Sequence, residues 1–376
     1  KCVIVKSAVF DANGRQASAV ETHTYFIKDF GNDHKNLPVM SISVDHDDLF
    51  DDSTGIMVPG ITWDAKDPDW TGNYFCRGLS WEKPAHVEFF EACGTMGFRQ
   101  QAGLRIHGGF TRRYPQKGFT LYARNEYGNN EIRYRLFDEI PQDSFRRLVL
   151  RPFSASVFAT GVEDYIAGDI AADLNVEALV GRPVVLYLNG EYWGLYCIQE
   201  RFDEHYLQAH LGIAADNIDI IESWWGIADP GDSQDFLKLY AFMQRADMKI
   251  SLDYDTARQW IDIDNFIDYQ LLEIFIANSD WPVNNMKMWR QRKEGARWRW
   301  AFFDGDASFY SADFAGFENA LCTEDRVWPS NAMSTLFLRK LLENPDFHSA
   351  FFNRLEYLLN TAFSAGRIVP YFGSIA

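Results

Sequence analysis

Residues 278–285 read Asn278-Ser279-Asp280-Trp281-Pro282-Val283-Asn284-Asn285, and residues 298–306 read Trp298-Arg299-Trp300-Ala301-Phe302-Phe303-Asp304-Gly305-Asp306. Asp280 stands five positions before Asn285, and Asp304 follows an apolar run that is typical of a buried strand. Kinase-type phosphoryl transfer uses such a set, because one carboxylate orients the attacking hydroxyl while an amide and a second carboxylate hold Mg²⁺ on the phosphates. The spacing is compatible with a phosphoryl-transfer site, but D-x-x-x-x-N is a loose pattern and on spacing alone the structural interpretation is favoured. The alternative is structural: Asp280 starts a turn before Pro282, and Asp304 and Asp306 are loop carboxylates.

The composition and charge of the chain narrow the classes of ligand. Of its 376 residues, 47% are apolar and 16% are aromatic, which is enough apolar material for a large core. The net charge of −17 argues against a general binder of nucleic acids or anionic membranes. Residues 101–151 are an exception, because they carry ten Arg or Lys against five Asp or Glu. A basic segment of this kind suits an anionic ligand.

The cysteine positions argue against a zinc site or a disulfide framework, and the hydropathy argues against a membrane-spanning segment. The five cysteines are scattered and form no C-x-x-C pair, so we expect buried free thiols rather than a zinc site or a disulfide framework. They are Cys2, Cys76, Cys93, Cys197 and Cys322. No apolar run approaches the length of a transmembrane helix, and the sequence therefore predicts no membrane-spanning segment.

The order of the predicted elements indicates the fold class. Residues 1–30 alternate around the turn Asn13-Gly14, which predicts two or three strands. Strand-like segments then prevail, with a helix predicted over 162–174, a hairpin around Asn189-Gly190, and helical periodicity from residue 235 onward. The prediction is an α+β fold with two lobes. A β-rich N-lobe at about 37–200 and a helical C-lobe at about 201–376 follow a short β-hairpin segment at 1–30.

Two loops are candidate ligand sites. Between two predicted strands lies Gly108-Gly109-Phe110-Thr111-Arg112-Arg113-Tyr114-Pro115-Gln116-Lys117 (residues 108–117). Paired glycines, paired arginines and a lysine at a strand start suit close backbone approach to phosphates, and a plain hairpin with exposed charges is the equal alternative. The stretch from Asp45 to Pro59 is predicted to be a polar loop with five aspartates. A solvated loop is favoured over a Ca²⁺ site there, because the spacing does not match an EF-hand.

Several motifs of the chain occur together in one known family. They are Leu104-Arg105-Ile106-His107-Gly108-Gly109 with Arg112-Arg113 and Pro115-Gln116-Lys117, Tyr122-Ala123-Arg124 with Glu126-Tyr127-Gly128, Leu188-Asn189-Gly190-Glu191-Tyr192-Trp193-Gly194-Leu195-Tyr196 with Glu200-Arg201, Asn278-Ser279-Asp280-Trp281-Pro282 with Asn284-Asn285, and Phe303-Asp304-Gly305-Asp306. In these motifs the chain resembles the CotH family, named for spore coat protein H, whose members include atypical protein kinases. The likeness is greatest to secreted or lipoprotein members of the Bacteroidetes type and runs from about residue 37 to 362. Residues 1–30 resemble the last strands of a small β-sandwich that often precedes this domain.

The resemblance implies an atypical protein-kinase-like fold over 37–376 and a role for each site residue. Asp280 corresponds to the catalytic aspartate, and Lys117 to the lysine that contacts the nucleotide phosphates. Asp164, on the predicted helix 162–174, is the candidate partner of Lys117. Asn285 and Asp304 are the implied metal ligands, and Asp306 assists them. The implied nucleotide-binding residues besides Lys117 are Arg105, Arg112, Arg113 and Glu200.

The chain departs from the pattern of its relatives in two places near the proposed nucleotide cleft. Arg151-Pro152-Phe153 stands where relatives usually show Arg-Asn, and Gln116-Lys117-Gly118 stands where many show paired lysines and serine. Neither departure removes a catalytic group. The implied cofactors are ATP and Mg²⁺ or Mn²⁺.

Three function classes remain open at this point. The first is a kinase that transfers the ATP γ-phosphate to Ser or Thr of a surface, coat or envelope protein. The second is a non-catalytic surface or coat interaction protein on a kinase-like fold. The third is a glycosyltransferase, because Asp304-Gly305-Asp306 is a D-x-D motif, but the chain lacks a Rossmann-type opening with a glycine-rich first turn. The kinase is favoured, and the resemblance implies an extracytoplasmic location.

Overall fold

The structure is a computed structural model that describes residues 1–27, 34, 36–153, 161–309 and 311–375, the last five of these through their backbone only. The chain divides into two compact units. The first contains residues 1–155 and 181–201, and the second contains residues 156–180 and 202–376. The predicted lobe boundary near residue 200 stays a prediction.

The chain begins with an antiparallel pair of strands, β1 (Cys2–Ser7) and β2 (Glu21–Phe26). The prediction of strands in this segment is confirmed, although residues 8–20 add only a bridge between Phe10 and Gln16 and no further strand. The pair is tied to the rest of its unit by the fully buried Glu88, whose carboxylate accepts a hydrogen bond from the Thr24 amide at 2.7 Å.

The body of the first unit is a closed barrel of seven strands. The strands are β3 (Val39–Val44), β4 (Lys83–Phe90), β5 (Met96–His107), β6 (Gly118–Tyr122), β9 (Arg147–Pro152), β10 (Gly181–Leu188) and β11 (Glu191–Glu200). The short pair β7 (Ile132–Arg133) and β8 (Ser144–Phe145) lies outside it. Closure comes from the parallel pairing of β3 with β10, which leaves no free edge. Asn189 and Gly190 join β10 to β11 at φ 51° and 83°, as an Asn-Gly turn requires.

One predicted loop of this unit is partly helical. Residues 45–59 were expected to be a polar loop, but α1 (His46–Phe50) lies within them. The carboxylate of Asp45 caps the helix by accepting a hydrogen bond from the Asp47 amide at 3.0 Å. Some of the aspartates that suggested a loop thus lie at the start of a helix, where Asp is favoured.

The second unit is mainly helical. Its helices are α2 (Glu163–Ala171), α3 (Glu204–Leu211), α4 (Gln234–Arg245), α5 (Ser251–Trp260), α6 (Ile263–Phe275), α7 (Gly316–Ala320), α8 (Leu336–Leu341), α9 (Pro345–Asn360) and α10 (Ala365–Ile375). A sheet in the order β13-β12-β14-β15 is formed by β12 (Ile218–Glu222), β13 (Ile227–Ala228), β14 (Lys287–Gln291) and β15 (Arg299–Ala301). This mixture of strands and helices confirms the α+β class. Among the residues that the structure describes, no helix has the length and apolarity needed to span a bilayer.

The cysteine prediction is only partly right. All five cysteines are free, and Cys2, Cys197 and Cys322 are buried as expected. Cys93 is exposed instead, and its thiol donates a hydrogen bond to the Thr95 hydroxyl at 3.2 Å.

Helix α6 is the central element of the second unit, because every residue from Asn265 to Ile274 is buried. Asp268 on this helix is 2% exposed and accepts two hydrogen bonds from Arg354 of α9, at 2.6 and 2.8 Å. The Asn175 amide donates a third, at 2.8 Å. The carboxylate therefore joins α6 to α9 and to the segment after α2.

Asp268→Ala is expected to lower the free energy of unfolding by about 3 kcal/mol, because it leaves a partly buried guanidinium without its partner. The matched control is Asp255→Ala, which removes an exposed pair with Arg258 at 3.6 Å and should change stability by less than about 1 kcal/mol. Urea unfolding of both variants measures the difference. Equal losses would show that the Asp268 carboxylate contributes no more than a surface charge.

Candidate active site

The carboxylate of Asp280 is held by two amide side chains. Its Oδ2 atom accepts hydrogen bonds from Asn284 Nδ2 at 3.0 Å and from Asn285 Nδ2 at 3.1 Å. The loop is closed by a further bond from the Asn284 amide to the Asp280 carbonyl at 3.2 Å. Asp280 and Asn285, which the sequence singled out by their spacing, are therefore in direct contact.

Asn285 also contacts the segment that contains Asp304. Its Nδ2 atom donates a second hydrogen bond, to the Asp304 carbonyl at 3.1 Å. Asn285 has φ 52° and Asp304 has φ 64°, both in the left-handed region. Such backbone conformations are uncommon outside glycine, and they gather at functional sites where the surroundings enforce them. Asp280, Asn285 and Asp304 thus form one cluster.

The strand that leads to Asp304 is fixed by α6. The Asn265 side chain accepts a hydrogen bond from the Trp300 amide at 2.6 Å and donates one to the Trp300 carbonyl at 3.0 Å. The same helix ends at Phe275, three residues before the Asp280 loop begins at Asn278. One buried helix therefore positions both parts of the cluster.

Asp164 lies at this cluster as well. Its Oδ1 atom accepts a hydrogen bond from the Gly305 amide at 2.6 Å, so the first turn of α2 supports the loop after Asp304. A side chain on Gly305 would meet Phe302 at 2.8 Å and Ala167 at 3.0 Å, which explains the glycine at this position. Asp306 lies half-buried in the turn that follows.

The pKa of Asp280 is raised to about 6, chiefly because the carboxyl is removed from water. The negative charge of Asp304 adds to the rise, and the amides of Asn284 and Asn285 oppose it. The carboxylate is therefore ionised at neutral pH but is a stronger base than an ordinary aspartate. Carboxyl groups with perturbed pKa values are often found at catalytic sites.

Lys117 and the loop before it belong to the first unit. Lys117 immediately precedes β6 and is 2% exposed. Its Nζ atom donates to the carbonyls of Arg112 at 2.6 Å and Tyr114 at 2.9 Å, and it lies 4.0 Å from the centre of the Tyr74 ring. An ammonium has three N–H donors, and these two carbonyls engage two of them. Asp164, its predicted partner, belongs to the second unit. The pairing of Lys117 with Asp164 stays a prediction.

Arg112 has a structural task in the same loop. The guanidinium donates to four backbone carbonyls, those of Ile106 at 2.6 Å, Gly108 at 2.7 Å, Tyr74 at 2.9 Å and Cys76 at 3.2 Å. These bonds fasten the 108–117 loop to the turn at Asn73–Phe75. The loop predicted as a hairpin turn contains a short 3-10 helix, Phe110–Arg113.

The other predicted nucleotide-binding residues also have partners within the first unit. Arg105 forms an ion pair with buried Glu82 at 2.6 Å. Arg113 pairs with Asp69 and lies 4.1 Å from the centre of the Phe110 ring. Their phosphate contacts, like those of Arg112, stay predictions.

Glu82 is a residue that the sequence interpretation missed. It also accepts a bidentate pair from Arg124 at 2.7 and 3.1 Å. No short motif marks Glu82, since its partners are distant in sequence. Glu200, the last predicted nucleotide-binding residue, is buried at the end of β11.

Burial lowers the pKa of Lys117 to about 8. Because the pKa is lower in the folded state than in the unfolded state, the charged lysine destabilises the folded protein below about pH 8. This penalty disappears as the pH rises toward the unfolded pKa of about 10.4. The stability of the wild type relative to Lys117→Met is therefore expected to increase between about pH 8 and 10.4. The exposed Lys249→Met is the control, and the loss of this surface lysine should change stability by about 0.5 kcal/mol or less. A flat difference for Lys117→Met would contradict the buried position.

The oxygen donors of the cluster fit a hard divalent cation in part. Both N–H groups of the Asn285 amide are engaged, which leaves its oxygen as the ligand atom, and Asp304 supplies a carboxylate. Within the described part of the chain, no three His, Cys, Asp or Glu side chains lie close enough to hold a metal ion. Asn285 and Asp304 would therefore need phosphate oxygens and water to complete the ligand set of a Mg²⁺ ion, as is usual for Mg²⁺.

Comparison with known proteins identifies the family of the chain. A search of curated proteins finds no match. A family described as CotH kinase protein matches residues 104–375, which include β6, α6 and the whole Asp280 cluster. This family comprises atypical kinases, and membership implies a kinase-like fold and ATP as the nucleotide. The chain belongs to the CotH kinase family.

Proposed function

We propose that the protein is an ATP-dependent kinase that transfers the γ-phosphate to Ser or Thr of a surface, coat or envelope protein, with Mg²⁺ or Mn²⁺. The observation that carries the proposal is the contact of Asn285 with both Asp280 and Asp304, at 3.1 Å each. Those contacts place Asn285 beside the Asp280 carboxylate, the proposed base, and beside the backbone of Asp304, whose carboxylate is the proposed metal ligand. Family membership supports the same chemistry.

In the proposed reaction, the acceptor oxygen forms a bond to the γ-phosphorus while the bond from that phosphorus to the β-phosphate oxygen breaks, and ADP leaves. The proton of the acceptor hydroxyl passes to Asp280. Asp280 Oδ2 already accepts two hydrogen bonds, so Oδ1 is the atom assigned to the hydroxyl. A bound Mg²⁺ or Mn²⁺ supplies charge neutralisation on the β- and γ-phosphates.

The environment of Asp280 suits this role. A pKa of about 6 lies near neutral pH, so the ionised form is present and the proton transfer is more favourable than to an ordinary aspartate. Asn284 and Asn285 hold the carboxylate in one orientation, and orientation supplies much of the catalysis in such sites. Lys117 is proposed to contact a phosphate, as the family resemblance implies.

The test is incubation of the purified protein with γ-labelled ATP, Mn²⁺ and candidate surface proteins, followed by detection of phosphoserine or phosphothreonine. Transfer of label supports the kinase. ATP binding without transfer would instead favour the non-catalytic interaction protein. Binding of a sugar nucleotide in preference to ATP would favour the glycosyltransferase that the D-x-D motif suggested.

We also propose an extracytoplasmic location, as a secreted or cell-surface protein. The proposal rests on the likeness to secreted members of the family. Protease treatment of intact cells measures it directly, since a surface protein is cleaved while an internal marker survives. Protection of the protein until the cells are lysed would place it inside.

A further inference from the structure

The loop that carries Asp280 starts from a defined C-terminal cap of α6. The Asn278 amide donates to the Glu273 carbonyl and the Ala277 amide donates to the Ile274 carbonyl, both at 3.3 Å. Ala277 has φ 53°. This pair of bonds around a left-handed residue is the Schellman motif, which usually has glycine at the left-handed position. The path of the chain out of the helix is therefore fixed relative to Glu273.

The side chains repeat this connection. Asn278 Nδ2 donates to Glu273 Oε2 at 3.0 Å, and Asn278 Oδ1 accepts a hydrogen bond from the Asp280 amide at 3.1 Å. Glu273 is 1% exposed and Asn278 is fully buried. The Asn278 amide is thus held at one end by the Glu273 carboxyl and holds the Asp280 backbone at its other end.

We propose that Glu273 is a positioning residue for the phosphotransfer reaction, which acts by orienting the Asn278 amide that fixes Asp280. The inference rests on the proposed kinase function. It adds a residue that lies outside the Asp280–Asn285 spacing and that does not touch the reacting atoms.

Stability alone does not account for a glutamate at this place. An ionised acidic side chain in the last turn of a helix opposes the helix dipole. Burial, with the charges of Asp304 and Asp280, raises the pKa of Glu273 to about 8, against the effect of hydrogen bonds from Asn278 and Tyr269. A buried ionisable group of this kind is often less stabilising than an apolar residue of similar volume. The hydrogen bond to Asn278 supplies the reason for its presence.

The oxygen of Glu273, rather than its charge, is what Asn278 requires. Glu273→Gln keeps an oxygen acceptor at nearly the same place, so kcat should remain near that of the wild type. Glu273→Met keeps the volume but removes the acceptor. Because small displacements of a catalytic group can lower turnover about 100-fold, kcat should fall by about that factor, with KM for ATP unchanged.

A matched control separates positioning from general destabilisation. Asp268→Asn alters a buried carboxyl on the same helix, at the contact with Arg354. It should lower the unfolding temperature without lowering kcat. If Glu273→Met does not fold, Asn278→Ala interrupts the same connection and should show the same loss of kcat.

The decisive measurement is a double-mutant cycle with γ-labelled ATP. In an Asp280→Ala background, the further change Glu273→Met should have no effect on the residual rate, because Glu273 acts through Asp280. If Glu273→Met and Asp280→Ala lower the rate by independent factors that multiply, the inference is overturned. An unchanged kcat in Glu273→Met would overturn it as well. So would a kcat loss in Glu273→Gln as large as in Glu273→Met. In each of these cases the wild type transfers phosphate and the proposed function stands. A wild type that binds ATP without transferring phosphate overturns both.

Discussion

Asp280→Asn is expected to lower phosphotransfer about 10²–10⁴-fold, the range that general-base catalysis usually contributes. Asparagine has nearly the same shape and keeps an oxygen that can accept hydrogen bonds from Asn284 and Asn285, which now contact Oδ2 at 3.0 and 3.1 Å. It cannot accept the proton of the acceptor hydroxyl. Nucleotide affinity should be retained, since the proposed phosphate and metal contacts lie on other residues.

The same substitution should not destabilise the protein. The pKa of Asp280 is raised from 3.8 to about 6, so the ionised carboxylate destabilises the folded state above about pH 6, and this effect is lost as pH falls toward 3.8. The penalty is at most about 3 kcal/mol at pH 7, at 1.36 kcal/mol per pKa unit. Asp280→Asn removes it. If Asp280 only capped the turn before Pro282, the substitution would instead change stability by about 1 kcal/mol or less and leave activity intact.

Labelling rates and urea unfolding at pH 7 and pH 5 measure both effects. Asp313→Asn, which neutralises an exposed carboxylate of the same unit, is the control and should change neither. Wild-type labelling by Asp280→Asn would remove this residue from the mechanism. A stability gain at pH 5 as large as at pH 7 would contradict the raised pKa.

The spacing of Asp280, Asn285 and Asp304 was readable in the sequence because it is local. The sequence has an aspartate and an asparagine five positions apart, and then an apolar run followed by a second aspartate. These residues lie close together whenever the segment between them forms a hairpin. The structure confirms that contact, through the two hydrogen bonds of Asn285. The strands and most helices were predictable for a similar reason, since hydrophobic periodicity is local.

Contacts between residues that are far apart in the chain could not be predicted from the sequence in this way. Closure of the barrel depends on β3 pairing with β10, which is about 145 residues away in the chain, as in the pair Met40 and Leu186. The hydrogen bonds between Asp164 and Gly305 and between Glu82 and Arg124 also join residues that are far apart in the chain. Glu273 did leave a signal that the sequence interpretation missed, because an acid near a helix C-terminus is unfavourable without a partner.

Asp304→Asn is expected to reduce the metal-dependent part of ATP affinity by about 100-fold or more. Substitution of residues that merely support a metal ligand typically costs about 10–100-fold, so removal of a charged ligand should cost at least as much. Asparagine is preferred to alanine in this test because Asp304 has φ 64°. Asparagine accepts this left-handed conformation about as readily as aspartate, whereas alanine would add backbone strain.

ATP titrations with Mn²⁺ and with a chelator separate the metal-dependent from the metal-independent affinity, and only the first should fall. Asp306→Asn, measured in parallel, shows which of the two carboxylates is the main ligand. A second effect identifies Asp304 independently of ATP. Because its charge raises the pKa of both Asp280 and Glu273, Asp304→Asn should lower both pKa values, and the stability penalty of ionised Asp280 should begin at a lower pH than in the wild type. Unchanged metal-dependent affinity in Asp304→Asn, with a loss in Asp306→Asn, would transfer the ligand role to Asp306, and no loss in either would remove the metal from this cluster.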